Sequence, residues 1–215
     1  PELVVIGIWS HLARADEREE PTTARQAEVF ADAVSRAEAL GADPEVRHLA
    51  ASAGVLWHPA THFDLVRPGI SLYGMAPDGS DPGALGLVPA MTLEAELTTV
   101  KRVPAGTPVS YGHTATVGAT TLGVVPLGYA DGIPRQASNR GLSVTVGGRP
   151  APVVGRICMD QFVVDLGPGA TERAGDVVRL WGPGGASVED WARAADTINY
   201  TITTQVGPRV PRVHV

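Results

Sequence analysis

The sequence predicts an α/β fold followed by a mostly β domain. Three observations carry that expectation. The first seventy-odd residues alternate apolar strand-like runs with a helical repeat, the pattern of parallel α/β units. A stretch rich in Pro, Gly and Asp then runs from Pro77 to Pro89. Beyond it the apolar residues fall into short β-branched runs with turn signals between them. The expected organisation is an α/β part over 1–76, a linker over 77–90 and a β domain over 91–215.

Leu3 to Trp9 is a near-continuous apolar run, as in a strand covered on both faces of a parallel sheet. Thr23 followed three residues later by Gln26 reads as a capping box. Val29, Phe30, Ala33, Val34, Ala37 and Leu40 then repeat at helical spacing up to Gly41, a C-terminal cap. A strand is expected at Val46 to Ala50, a short helix from Ser52, and a further strand around Phe63 to Val66. Such units suit either the last part of a barrel or half of a doubly wound sheet. In the second region strands are expected within Thr92–Val103, Thr114–Pro126, Leu142–Val154, Ile157–Leu166 and Asp176–Leu180. Gly147-Gly148 marks a two-residue hairpin, and Ser187 with Asp190 a capping box before Trp191-Ala192.

Composition narrows the function classes. With 215 residues and a net charge of −6, the chain can bury a sizeable core and offers no basic patch for nucleic acid or an anionic membrane. A single cysteine, Cys158, leaves no internal disulfide framework and fits a reducing compartment, so cytoplasm is the expected location. No apolar run approaches the roughly 20 residues of a membrane helix. Opening inside an apolar run without an initiator Met, the chain is expected to be part of a longer protein.

Four segments carry the chemistry: Trp9-Ser10-His11-Leu12-Ala13-Arg14-Ala15-Asp16, Arg67-Pro68-Gly69-Ile70-Ser71-Leu72-Tyr73-Gly74, Val109-Ser110-Tyr111-Gly112 and Gly155-Arg156-Ile157-Cys158-Met159-Asp160-Gln161. Gly128-Tyr129-Ala130-Asp131-Gly132 joins them. In this order, across nearly the whole chain, they resemble the C-terminal two-thirds of the alanine racemase family, the pyridoxal-phosphate-dependent amino-acid racemases. The resemblance implies the later strands of a (β/α)8 barrel up to Gly74, followed by a β domain. It also implies a cytoplasmic homodimer whose active sites are shared between subunits. The implied activity interconverts L- and D-alanine by a two-base mechanism, supplying D-alanine for peptidoglycan.

Residue roles follow from the same resemblance. Ser52, Gly69 and Ile70 would hold the cofactor phosphate; a glycine lets backbone N–H groups come close to such an anion. Arg67 would face the pyridine nitrogen. An arginine can only donate, so it keeps that nitrogen unprotonated and the ring a milder electron sink than a pyridinium. Tyr111 would be the base on one face of the substrate, with His11 bridging it to Arg67. A phenol ordinarily ionises at about pH 10, so this role asks for positive charge nearby. Met159 would meet the substrate through its backbone, and Asp16, Tyr129, Arg135 and Arg156 would line the access corridor. His48 is expected to support the cofactor site, and no histidine has the spacing of a metal ligand.

The chain departs from the family in visible ways. A cofactor that forms a Schiff base needs a lysine, and the only lysine here is Lys101, whose neighbours Val100 and Val103 mark an exposed edge-strand position. Ala51 stands where an asparagine is frequent, and Pro208 where some members place a phosphate-binding tyrosine. The chain by itself is therefore expected to be inactive. Two other readings remain open: a catalytically silent module that binds phosphorylated ligands, and a racemase of another amino acid such as serine.

Overall fold

The computed structural model describes residues 4–214 and divides after Val88 into two compact units. The first unit opens with a short strand β1 (Gly7–Trp9), followed by helix α1 (Thr22–Ala39), strand β2 (Val46–His48) and helix α2 (Ser52–Trp57). β1 and β2 are parallel, with Ile8 opposite Arg47, and a further parallel bridge joins Ala51 to Arg67. The core forms where α1 lays Phe30 and Val34 over Leu12, Leu49 and Ala53. Phe63 closes it edge-on against Phe30, with ring centroids 5.0 Å apart.

Three expectations for this unit are corrected. The first strand is shorter than Leu3 to Trp9, and Leu3 itself lies outside the described residues. Val4, Val5, Ile6 and Trp9 are exposed, not covered on both faces, because among the described residues β1 pairs only with β2. Thr23 and Gln26 form no capping box: the residue before α1 is Pro21, without a side-chain cap. Gln26 instead accepts from the backbone N–H of Ala13 at 2.9 Å and ties the loop after β1 to the helix. No strand forms at Phe63–Val66. Phe63 sits at φ 50°, and the segment turns to deliver Arg67, whose N–H bonds to the Ala50 carbonyl at 2.9 Å.

The second unit is built on antiparallel strands β3 (Leu93–Glu96), β4 (Thr99–Val103), β5 (Thr107–Val109), β6 (Ala115–Val117) and β7 (Thr120–Val125). Four more follow: β8 (Ser143–Val146), β9 (Arg149–Val154), β10 (Phe162–Asp165) and β11 (Val177–Trp181). Seven make one sheet in the order β3-β11-β8-β9-β10-β7-β4, and β5-β6 make a separate ribbon. The sheet's end strands are joined by Leu97-Thr98, whose N–H groups bond to Asp176 and Val124 on opposite edges. The change of partner from β11 to β7 explains why the single run expected over Thr92–Val103 is two strands.

Gly147 and Gly148, at φ 56° and 74°, make the β8-β9 turn with the left-handed pair a two-residue hairpin needs. Helix α3 (Val188–Ala195) starts on Ser187, whose hydroxyl accepts from Asp190 N–H while the Asp190 carboxylate accepts from Ser187 N–H. Trp191 of α3 is fully buried against Phe162 and Trp181 and donates its indole N–H to Leu180 O at 2.8 Å. Helix α4 (Asn199–Thr204) was not expected from its β-branched sequence. Packing Ile202 into the core overrides that local preference. The expected Ile157–Leu166 strand is confined to β10, since residues 157–161 form a loop that belongs to the site.

Candidate active site

In the first unit the site is organised by Arg67. Its Nη1 donates to Nδ1 of His48 at 2.8 Å; its Nη2 donates to Ser10 O at 3.0 Å and to Nδ1 of His11 at 3.2 Å. A weaker Nη2 contact reaches Leu49 O at 3.4 Å. Because a guanidinium has no acceptor, each imidazole must accept at Nδ1 and so carries its proton on Nε2. Trp9 stacks on His48, with centroids 6.0 Å apart, and the guanidinium carbon lies 5.4 Å from the Trp9 ring centre. Of the five N–H groups, those on Nε and one on Nη1 have no acceptor among the described residues. Arg67 is therefore fixed on one side and open for a ligand acceptor on the other. Of the link expected from Tyr111 through His11 to Arg67, the described residues contain the His11–Arg67 contact alone; His48 is a direct partner of Arg67.

Beside Arg67 lies a cluster of donors. Ser52 is the first residue of α2 rather than its cap, and its buried hydroxyl accepts from Gly69 N–H at 2.9 Å and Ser71 N–H at 3.3 Å. With its lone pairs so used, that hydroxyl can only donate outward. The Gly69 N–H expected to face a phosphate is spent on Ser52 instead. The N–H of the buried residue Ile70 has no partner among the described residues, and the buried Oγ of Ser71 has none either. A Cβ on Gly69 would meet nothing within 4 Å, so the space over this loop is open. Unspent donors around an open approach fit an anion such as a phosphate group.

In the second unit three sequence motifs converge. The turn Gly128-Tyr129-Ala130-Asp131-Gly132 lies directly on the loop at 155–161: Tyr129 N–H bonds to Cys158 O at 3.0 Å and Ala130 N–H to Met159 O at 2.8 Å. Only glycine fits at 128, where a Cβ would stand 2.4 Å from Met159 C and O. Ser110 Oγ donates to Arg156 O at 2.7 Å, which ties the Tyr111 turn to the same loop. Tyr111 itself is 73% exposed and Met159 is 59% exposed, so neither is packed as a core residue. The Arg156 guanidinium lies over Gly112, 3.0 Å from the place a Cβ would occupy. Tyr111, Tyr129, Arg156 and Met159 thus share one loop cluster, whereas Arg135 is exposed on a separate 3-10 turn. Asp16 is exposed in the first unit.

Sequence reasoning missed several contributors. Buried Asp131 holds its turn by accepting from Gly128 N–H at 2.9 Å and pairs with Arg209 at 2.8 Å. Ser110 stands at φ 62°, ψ −177°, a conformation no serine announces. Ser71 was legible only as part of its motif. Lys101 is exposed on β4, which pairs only with β7.

In class, the first unit is a strand–helix frame that gathers unspent donors beside an arginine with two N–H groups left open among the described residues. Comparison with known proteins makes the assignment narrower. The alanine racemase N-terminal domain model matches residues 1–77 and the C-terminal domain model residues 90–214. The chain belongs to the alanine racemase family. An alanine racemase of Beutenbergia cavernae is 61% identical over 219 residues, covering 100% of this chain and 58% of that protein. The solved alanine racemase of Streptomyces coelicolor is 53% identical with a TM-score of 0.93, covering 99% of this chain and 56% of that one. That of Bacillus anthracis, with bound L-Ala-P, is 34% identical with a TM-score of 0.88, over 97% and 55%. The chain thus spans a little over half the length of these relatives. The fold is part of a (β/α)8 barrel followed by an antiparallel β domain.

Proposed function

We propose that the protein containing this chain interconverts L- and D-alanine with pyridoxal 5'-phosphate, as a homodimer acting on the free amino acid in the cytoplasm. The observation that carries the reading is Arg67, braced by His48, His11 and Ser10 O with two N–H groups left over. Bound there, the cofactor supplies the electron sink that lets the α-proton of an amino acid leave. Arg67 would hold the ring nitrogen as a donor that cannot protonate it, which would favour return of the proton to the α-carbon over transamination. The Ser52 hydroxyl and Ile70 N–H would hold the phosphate, with Gly69 leaving room for it. Tyr111 would take or return the proton on one face of the substrate, and Met159 would meet the substrate through its backbone, while His11 braces Arg67. Tyr129, Arg156, Asp16 and Arg135 line the approach. The lysine that holds the cofactor belongs to the remainder of the protein, because Lys101 stands exposed on an edge strand. The exposed β1 residues are then where the rest of the barrel packs.

The test uses the full-length protein. Loaded with pyridoxal phosphate, it should convert L-alanine to D-alanine by polarimetry, faster than it does serine. Gly69→Ala should leave the fold intact, since its Cβ meets nothing within the chain, yet weaken cofactor binding in an absorbance titration. Undiminished cofactor affinity in Gly69→Ala would remove the phosphate from this loop.

A further inference from the structure

We propose that Ser110 is a positioning residue, whose strained backbone and hydroxyl bond to the Arg156 carbonyl set the direction of the Tyr111 phenol. The inference rests on the reading of Tyr111 as a base. Ser110 sits at φ 62°, ψ −177°, a region that is essentially reserved for glycine. A side chain held there must be held by its surroundings. The structure shows what does so: Ser110 Oγ donates to Arg156 O at 2.7 Å, and Cys158 Sγ lies 3.5 Å from Ser110 Oγ. Gly155, at φ 73°, makes the close approach possible, because a Cβ on it would lie 2.8 Å from Ser110 Cβ.

The residue matters because, among the described residues, no hydrogen bond holds the Tyr111 side chain. The phenol is exposed, and its hydroxyl has no hydrogen-bond partner among the described residues. Its direction is therefore set by the backbone that carries it. That backbone leaves β5 and turns through Ser110, Gly112 and His113, all at positive φ, with His113 N–H closing on Ser110 O at 3.1 Å. Were Ser110 to relax to an ordinary extended conformation, φ would rotate by well over 100° and swing Tyr111 away. The Ser110–Arg156 bond also fixes the phenol relative to the loop carrying Met159, so the proton shuttle and the substrate contact keep their spacing.

The experiment compares Ser110→Ala, Ser110→Gly and Tyr111→Phe in the full-length, cofactor-loaded protein. Deuterium uptake at Cα is followed separately from L- and D-alanine, with thermal melting alongside. Ser110→Ala keeps the strain and removes the bond; Ser110→Gly adopts the conformation freely and carries the test if the alanine variant fails to fold. Both should slow uptake from the enantiomer that Tyr111→Phe affects, by about ten- to a hundredfold, as misplacement of a reacting group does. Uptake from the other enantiomer should stay near wild type. A folded Ser110→Gly with wild-type rates, or with equal losses from both enantiomers, overturns the positioning role while a biased Tyr111→Phe preserves the base assignment. If Tyr111→Phe itself shows no bias, both fall together.

Discussion

Replacing Gly128 with alanine isolates the contact on which the second unit's loop cluster depends. Gly128 has φ −148°, ψ −163°, which any residue adopts, so the substitution adds no backbone strain. Its new Cβ would stand 2.4 Å from Cys158 O and from Met159 C and O, whereas ordinary contact begins at 3.4 Å. The two backbones must part by about 1 Å, which stretches Tyr129 N–H···O Cys158 and Ala130 N–H···O Met159 beyond bonding range. Losing two hydrogen bonds costs about 2 kcal/mol, and forcing a methyl group into packed backbone adds about 1–3 kcal/mol. With roughly 1–2 °C per kcal/mol in the longer full-length protein, the melting temperature should fall by about 5 °C. Because Met159 moves with its loop, KM for alanine should rise as well. Gly169→Ala is the control: its Cβ meets nothing within 4 Å, so stability should stay within about 1 kcal/mol of wild type. Calorimetry and initial-rate kinetics on the full-length protein read both effects. A Gly128→Ala protein that melts and binds substrate like wild type would refute the claim that this turn positions the Met159 loop.

Two further outcomes follow from the first unit and from the shared site. The Arg47 guanidinium, then its backbone N–H, bond to the Asp64 carboxyl at 2.7–3.0 Å and hold it down to about 2. A carboxyl lowered in the folded state stabilises above its unfolded value of about 4 and loses that contribution as pH falls toward 2. Wild type should therefore exceed Asp64→Asn in urea midpoint by a constant margin near neutrality, and the margin should close as pH falls from about 4 to about 2; a margin independent of pH would exclude the ion pair as its source. For the proposed homodimer, co-expressing Arg67→Glu chains with Tyr111→Phe chains should restore activity absent from either alone, because a mixed dimer whose sites are shared would contain one intact pair. No restoration in purified mixed dimers would place Arg67 and Tyr111 of each site on one subunit.

The sequence was readable where a structural signal is local. Ser187 and Asp190 lie three residues apart and cap α3 by themselves, and Gly147-Gly148 supplies its own turn. The signal at Thr23 and Gln26 is equally local but loses to tertiary demand, since Gln26 serves the Ala13 N–H. Phe63 to Val66 reads as a strand because it is apolar, yet Phe63 is used in a turn against Phe30 while Leu65 stays exposed. In the site, Arg67 and His11 stood out because they sit in motifs, and Ser52 because it follows a strand expected to end at the site. The Asp131–Arg209 pair and the Ser110–Arg156 bond join residues far apart in the chain, and such pairings leave no periodicity to read. The left-handed backbone at Ser110 was hidden for another reason: glycine marks such positions, and this one carries serine.

The most direct test of the central claim, that Tyr111 serves one face of the substrate and an amine from the rest of the protein the other, is solvent-hydrogen incorporation by the full-length Tyr111→Phe enzyme. Supplied with one enantiomer at a time in deuterated water, it should still label one of them at the α-carbon and nearly cease to label its mirror image. Equal labelling of both, whether fast or slow, would contradict the assignment.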